Sequence, residues 1–525
     1  MRTVILVVLM SVLVNLPSTA ATSKSDLAEA LAPTLLASFK SNTFSHEKFT
    51  SDGKYFVYKA RLKGDSVDSI YSTEISTGKT FNLTAKSKFL MDSISAGFAI
   101  TPASDRVIWT GWRDKNKGSS STLYSSEINR QGSPVSQFTD ENLDPTAGPT
   151  FLLFEGGSAI FDVEKDNYHA LYRVITNKNT KKISHRLPEN VSIKQTLISE
   201  DSGQIFYTVN TEVVSGFSRY SNEIHRAKAG GKNYKLLVSG GKIEDVRIAA
   251  GRLVYRLGTE GSNETNLFSV GMNGGEPVQV NQKLIDGYSI TDDYVVSKNG
   301  KYVYFAAPLA PEGGNALYRA RVDGEGDHLR LNPELPENTA IDYKIDLNNK
   351  SGKILYTLIH FDGDKKDYSK HLVGTDGSAP IELLNKDIGG WMTLKHNPDI
   401  PLFLWWGDFN QRENYQLYNT PATGGKPVTL NLPLKNGEYV ENKLAVASTG
   451  RVLAYTVSNE NNSDQNDLYV ASADGAYASK IADGQKVHSY WMSPDGGTLL
   501  YIKEASLTSP EQLFSVKLDN FLDGS

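Results

Sequence analysis

The sequence predicts an all-β chain, a β-propeller of four-stranded antiparallel blades. Three observations carry this. A turn of the form Ser-Pro-Asp-Gly, flanked by short apolar runs, recurs along nearly the whole chain. A second, Leu-Tyr-like pair follows each turn at a similar distance. The apolar runs are hydrophobic on both alternations, as strands covered on both faces require.

The turn is clearest at Ser493-Pro494-Asp495-Gly496, between Tyr490-Trp491-Met492 and Thr498-Leu499-Leu500-Tyr501. Proline presets its φ and glycine accepts a positive one, so the four residues reverse the chain into a hairpin. Close copies surround Gly53, Gly203, Gly300, Gly352 and Gly450, and worn copies lie before Trp109, Phe161, Tyr255 and Trp405. From Gly53 to Gly496 there are nine steps over 443 residues, a period of about 49. That makes about ten repeat units. The second half of each unit shows in Leu123-Tyr124, Leu171-Tyr172, Leu267-Phe268, Leu317-Tyr318, Leu417-Tyr418, Leu468-Tyr469 and Leu513-Phe514. Two hairpins per unit give one four-stranded blade. Gly53, Gly300 and Gly496 are expected at positive φ.

The chain opens with Met1-Arg2-Thr3, an apolar stretch from Val4 to Leu16 and small residues up to Ala21. This describes a secretory signal peptide over 1–20, cleaved before Ala21, and it places the mature protein in the periplasm or outside the cell. The apolar stretch is short for a membrane span, and no comparable run follows, so no integral membrane segment is expected after cleavage. Residues 21–43 read as a helical or tether segment, with Leu27, Leu31 and Leu35 at helical spacing and a break near Pro33. The propeller then occupies 44–525. No composition break divides it, which favours one large ring over two tandem rings. Closing a ring leaves an edge strand to be paired. The chain near residues 39–49 is expected to supply that strand beside Leu513-Phe514.

With 60 acidic and 55 basic residues the net charge is −5, which gives no reason to expect nucleic acid as a partner. The sequence has no cysteine, which excludes disulfides, thiol nucleophiles and cysteine metal sites.

The repeated Ser-Pro-Asp-Gly-Gly-Thr-Leu-Leu-Tyr and Leu-Tyr…Asp-Gly pattern resembles the TolB-like propeller repeat, over roughly residues 44 to 521. The same repeat builds the propeller that accompanies the catalytic domain in the dipeptidyl peptidase IV and prolyl oligopeptidase family. The matching residues make turns and core, so the resemblance implies architecture more than activity. Two features depart from it. Residues 21–43 are too short for the α/β domain that precedes the TolB propeller. No Gly-x-Ser-x-Gly nucleophile elbow is present.

Function is expected on the loops joining second to third strands, which are long and differ in every unit. Two of them resemble each other: Trp109-Thr-Gly-Trp112-Arg113-Asp114 and Trp405-Trp406-Gly-Asp408-Phe-Asn-Gln-Arg412. Aromatic planes beside charged donors and acceptors suit a protein, peptide or glycan ligand, so Trp112, Arg113, Asp114, Trp406, Asp408 and Arg412 are the candidate binding residues. Trp109 and Trp405 occupy the core position held elsewhere by Tyr58 and Tyr501. No catalytic residue is assigned. The stretches Asp362-Gly-Asp364-Lys-Lys-Asp367 and Asn459-Glu-Asn461-Asn-Ser-Asp464 offer alternating oxygens of the kind Ca²⁺ prefers, without completing a calcium loop. No other cofactor and no metal-ligand set is expected. His360 and His371 belong to one unit and are placed to approach each other. The reading is an exported, non-catalytic binding module; the alternative is a carbohydrate-active or other lyase or hydrolase with its site at the propeller channel.

Overall fold

In the computed structural model every described element is a strand. The structure describes residues 31–40, 43–61, 68–85, 98–112, 121–131, 136–137, 152–154, 158–165, 168–175, 180–188, 191–199, 202–211, 221–228, 230–231, 233–259, 264–284, 288–291, 293–308, 315–326, 328–363, 365–378, 380–384, 388–393, 400, 402–409, 415–504 and 510–518. Five sheets have four strands each, spanning 45–82, 98–137, 294–330, 339–384 and 388–429. A sheet at 152–188 has five. Two have seven: one over 192–279, the other over 438–517 together with the strand Thr34–Phe39. All pairings described are antiparallel and run strand to next strand along the chain, apart from Thr34–Phe39 and a short extra pairing at Leu187–Pro188.

Each seven-stranded sheet contains one fifteen-residue strand, Lys235–Ala249 or Ala478–Met492. The first half of that strand pairs backwards and its second half forwards. The extended chain thus ends one hairpin pair and begins the next without a turn.

One arrangement recurs ten times among the described residues. An aromatic ring on a second strand stacks on the residue directly opposite it on the third. The pairs are Tyr58 with Tyr71, Trp109 with Tyr124, Phe161 with Tyr172, Tyr207 with His225, Tyr255 with Phe268, Phe305 with Tyr318, Tyr356 with His371, Trp405 with Tyr418, Tyr455 with Tyr469 and Tyr501 with Phe514. Ring centroids lie between 4.3 and 6.3 Å apart. Such a pair is worth about 0.5–1.5 kcal/mol beyond the apolar area it buries. The residue before the third-strand ring is buried each time, as with Leu123, Leu267 and Leu513. The residue after it often reaches the next unit: Ser72 donates to the Ile128 carbonyl, Ser269 to Val322 and Asn419 to Ala473.

The first-hairpin turns have the expected backbone, with φ of 70° at Gly53, 65° at Gly300 and 84° at Gly496. Side chains complete the turn. Ser493 Oγ donates to Asp495 (2.6 Å) and accepts from the Thr498 N–H (2.9 Å). Ser297 with Asn299 and Tyr302, and Thr50 with Asp52 and Tyr55, repeat the pattern. Four of these turns also nest against another: a Cβ on Gly300 would meet Ala250, on Gly450 Ile400, on Gly496 Ala447, and on Gly53 Pro494.

Apolar clusters join neighbouring sheets in sequence. One links the sheets at 45–82 and 98–137, another those at 152–188 and 192–279. Others join the sheets onward from 192–279 through 294–330, 339–384 and 388–429 to 438–517. A further cluster returns from the last sheet to the first, joining Leu500, Ile502 and Leu513 to Phe56, Tyr58 and Tyr71 through Phe39.

The terminal strand lies earlier than its sequence expectation. Thr34–Phe39 pairs with Glu511–Lys517, whereas Ser45–Phe49 is the first strand of the first sheet. Residues 34–39 are thus a strand, and not part of the helical or tether segment that their spacing predicts. Pro33 prevents a helix from running through, Thr34 favours an extended backbone, and the open edge at 511–517 supplies partners for every second peptide group. Leu35 is 49% exposed, while Phe39 is fully buried against Phe44 and Tyr58.

Two outcomes test this fold. Phe39→Ala should cost about 3–5 kcal/mol in urea unfolding, because its ring sits in the cluster joining last sheet to first; a loss below about 1 kcal/mol would remove that strand's role as a clasp. A Cβ at Gly300 would fall on the Ala250 backbone and 2.8 Å from its Cβ, whereas one at Gly203, at φ 60°, meets nothing. Gly300→Ala should therefore cost about 1–3 kcal/mol more than Gly203→Ala, and equal costs would contradict the nesting of the turns.

Candidate functional site

Of the six candidate binding residues, Trp406 is the one whose side chain the structure describes. It lies on the strand Leu402–Phe409, and its half-buried ring stacks on Tyr415 at 3.9 Å and 6°. Its indole N–H donates to the Val440 carbonyl at 2.5 Å, tying the sheet at 388–429 to the next one. Asp408 stands on the same strand opposite Gly389, and Trp112 ends the strand Arg106–Trp112 opposite Ser121. Arg113, Asp114 and Arg412 lie outside the described residues. The two loops belong to sheets that are not consecutive. Trp109 and Trp405 are buried members of the ring pairs, as the sequence suggested.

Two stretches read as long loops are strand extensions. Lys353–Asp362 and Lys365–Gly374 pair up to Asp362 opposite Lys365. Val452–Asn459 and Asn462–Ser472 do the same around Glu460 and Asn461. These are the stretches proposed for Ca²⁺. Among the described residues no group of three His, Asp or Glu side chains is placed to hold a metal ion. Elsewhere the loop bases are clamped. Arg61 meets Asp68 at 2.9 Å, and Asn222 bonds both the Thr211 N–H (3.0 Å) and its hydroxyl (2.6 Å).

Three clusters arise, of which the sequence anticipated the last, the approach of His360 to His371. The first sits on first strands, which in a propeller line the channel. The strand Lys235–Ala249 bulges between Glu244 and Arg247, putting Asp245 at a φ of 46°. Arg247 meets Asp245 at 2.7 Å and Asp293 at 3.5 Å, donates to the Tyr294 carbonyl, and lies 4.2 Å over the Tyr294 ring. Burial raises the Asp293 carboxyl above its ordinary range even though Arg247 pulls it down. The second cluster joins His185, Tyr207, Glu223 and His225. His225 Nε2 lies 2.7 Å from Glu223, and His185 Nδ1 lies 3.0 Å from the Tyr207 hydroxyl. The third joins His360 and His371, which meet through Ser369: its Oγ is 2.9 Å from each Nε2. A broken repeat also marks the last two, Ile224-His225 and Lys370-His371 where other units carry a Leu-Tyr-like pair.

No family model and no curated protein matches the chain. Among solved structures, a prolyl endopeptidase is 13% identical with a TM-score of 0.35, aligned over 84% of this chain and 57% of its own. An oligogalacturonate lyase in complex with manganese is 10% identical with a TM-score of 0.36, over 63% of this chain and 82% of its own. The tricorn protease is 13% identical with a TM-score of 0.23, over 91% of this chain and 44% of its own. The chain therefore spans under two thirds of the prolyl endopeptidase and of the tricorn protease.

Trp406→Ala should lower stability by about 2 kcal/mol or more, since it removes the stacked ring and strands a buried carbonyl. Trp406→Phe should cost about 1 kcal/mol. Denaturant midpoints check both, and an unchanged Trp406→Ala midpoint would return this residue to the role of a free ligand contact.

Proposed function

We propose that the chain is an exported TolB-like β-propeller, a non-catalytic module that binds a protein, peptide or glycan across its long-loop face. Dividing the two fifteen-residue strands at their midpoints yields ten units, nine of four strands and one, at 152–188, of five, in line with the ten ring pairs. We place them in one ring. The nesting of Gly53 on Pro494 repeats what Gly300 does on Ala250, Gly450 on Ile400 and Gly496 on Ala447, so the first unit meets the last as these three meet their predecessors. The Lys443 ammonium feels Glu47 from the first sheet, which agrees with first strands facing a common channel.

The binding reading rests above all on the clamped loop bases. Arg61 with Asp68 and Asn222 with Thr211 fix where two second-to-third loops leave a frame of uniform cores. Fixed bases and varied tips are what a recognition surface needs. The catalytic alternative draws on Asp293, whose raised carboxyl beside Arg247 suits a general acid at the channel.

Calorimetric screening of peptides and oligosaccharides tests the proposal. A ligand should bind, and Arg113→Ala, Asp114→Ala or Arg412→Ala should weaken it tenfold or more with no change in melting temperature. Turnover of an oligosaccharide that disappears in Asp293→Asn would replace this reading with the enzymatic one. The mature chain should start near Ala21 by intact mass.

A further inference from the structure

The seam between the sheet at 152–188 and the one that follows carries an ionisable cluster that ligand binding at the loops does not use. Residues 183–188 lie against the next sheet, with Ile183 and Leu187 packed among Ile205, Tyr207, Val209 and Ala227. His185 comes from this segment. Its ring lies 4.8 Å from that of His225, 6.3 Å from Tyr207 and 5.4 Å from Tyr234, which is 55% exposed. His225 is buried and stacks on Tyr207 at 9°.

The charges around the pair are unequal. Lys182, on the short strand Lys181–Lys182, acts on His185 from its own side. From the following sheet come Tyr207, Tyr234, His225 and Glu223. Glu223 is the one carboxylate in this set, and it is already bound to His225 at 2.7 Å. A first proton can settle on His225 beside Glu223. A second, on His185, meets a cationic ring at 4.8 Å and Lys182, and among the described residues the carboxylate that acts on it is Glu223, already taken by His225. In the tautomer that carries its proton on Nε2, His185 Nδ1 accepts from the buried Tyr207 hydroxyl, and protonation turns that acceptor into a donor, so the hydroxyl can no longer donate to it.

We infer that this seam is an acid-operated latch, in which protonation of His185 releases residues 183–188 from the face of the following sheet. Burial lowers the affinity of both imidazoles for a proton, and His225 lowers that of His185 further. The sign follows. A released His185 takes up its proton near its ordinary value of 6.5, so latching is complete above that pH and weakens progressively below it.

Hydrogen exchange over residues 183–188 in the full-length chain, corrected for intrinsic rates, tests the latch between pH 7.5 and 5.5. The wild type should open at least tenfold more at the lower pH, while the strand Arg252–Gly258 keeps its protection. His185→Gln should abolish the response. His225→Phe restores the kind of ring that eight of the ten pairs carry at this place, so it should fold and respond less than threefold. A wild-type change below twofold overturns the latch, as does a full response in His185→Gln. If His185→Gln does not fold, a full response in His225→Phe overturns it instead.

Discussion

The stacked pair between second and third strands is the contact on which the rest of this structure depends. It fixes register, because a slip of one residue would carry either ring to the other face of the sheet. It also sets the position of everything counted from it. The buried residue before the third-strand ring enters the seam with a neighbouring sheet, and the residue after it reaches that neighbour's backbone, as Ser72 does at Ile128. One pair thus links the internal order of a sheet to its contact with the next. Repetition makes the result additive: each sheet needs only its neighbours, as in other repeat architectures.

Much of this was legible because it is local. The Ser-x-Asp-Gly turns, the tyrosine on the second strand and the Leu-Tyr pair on the third all lie within one unit, and each places a residue by spacing alone. The terminal strand was less legible because its cause is remote. Leu27, Leu31 and Leu35 have helical spacing, yet residues 34–39 answer to an open edge almost five hundred residues away. Strand extensions at Asp362 and Asn459 were missed for another reason. Polar residues look like loop, but an antiparallel pair can continue outward with both faces in water.

The candidate sites were hidden by a third cause. Arg247, Asp245 and Asp293 converge through a bulge and a neighbouring strand, and His185 meets His225 across two sheets. No spacing rule connects residues 46 or 40 positions apart. What the sequence did carry was the interruption of its own repeat at His225 and His371. Residues that match the repeat report the frame. Those that break it are where chemistry has displaced packing.

That displacement has a physical cost and a physical use. Replacing tyrosine by histidine keeps a flat ring on the stack but exchanges apolar area for two nitrogens that must be satisfied. Both exceptions satisfy one nitrogen in the same way, from the side chain two residues earlier on the same sheet face: Glu223 for His225 and Ser369 for His371. The partners differ in what they permit. A carboxylate stabilises the imidazolium, whereas the Ser369 hydroxyl between His360 and His371 can donate to one Nε2 and accept an N–H from the other. The same repeat position therefore supports two different electrostatic settings, decided by one residue at the second place before the ring. The stacking partner beneath, Tyr207 or Tyr356, is fully buried in both, so the frame is held while the chemistry above it varies.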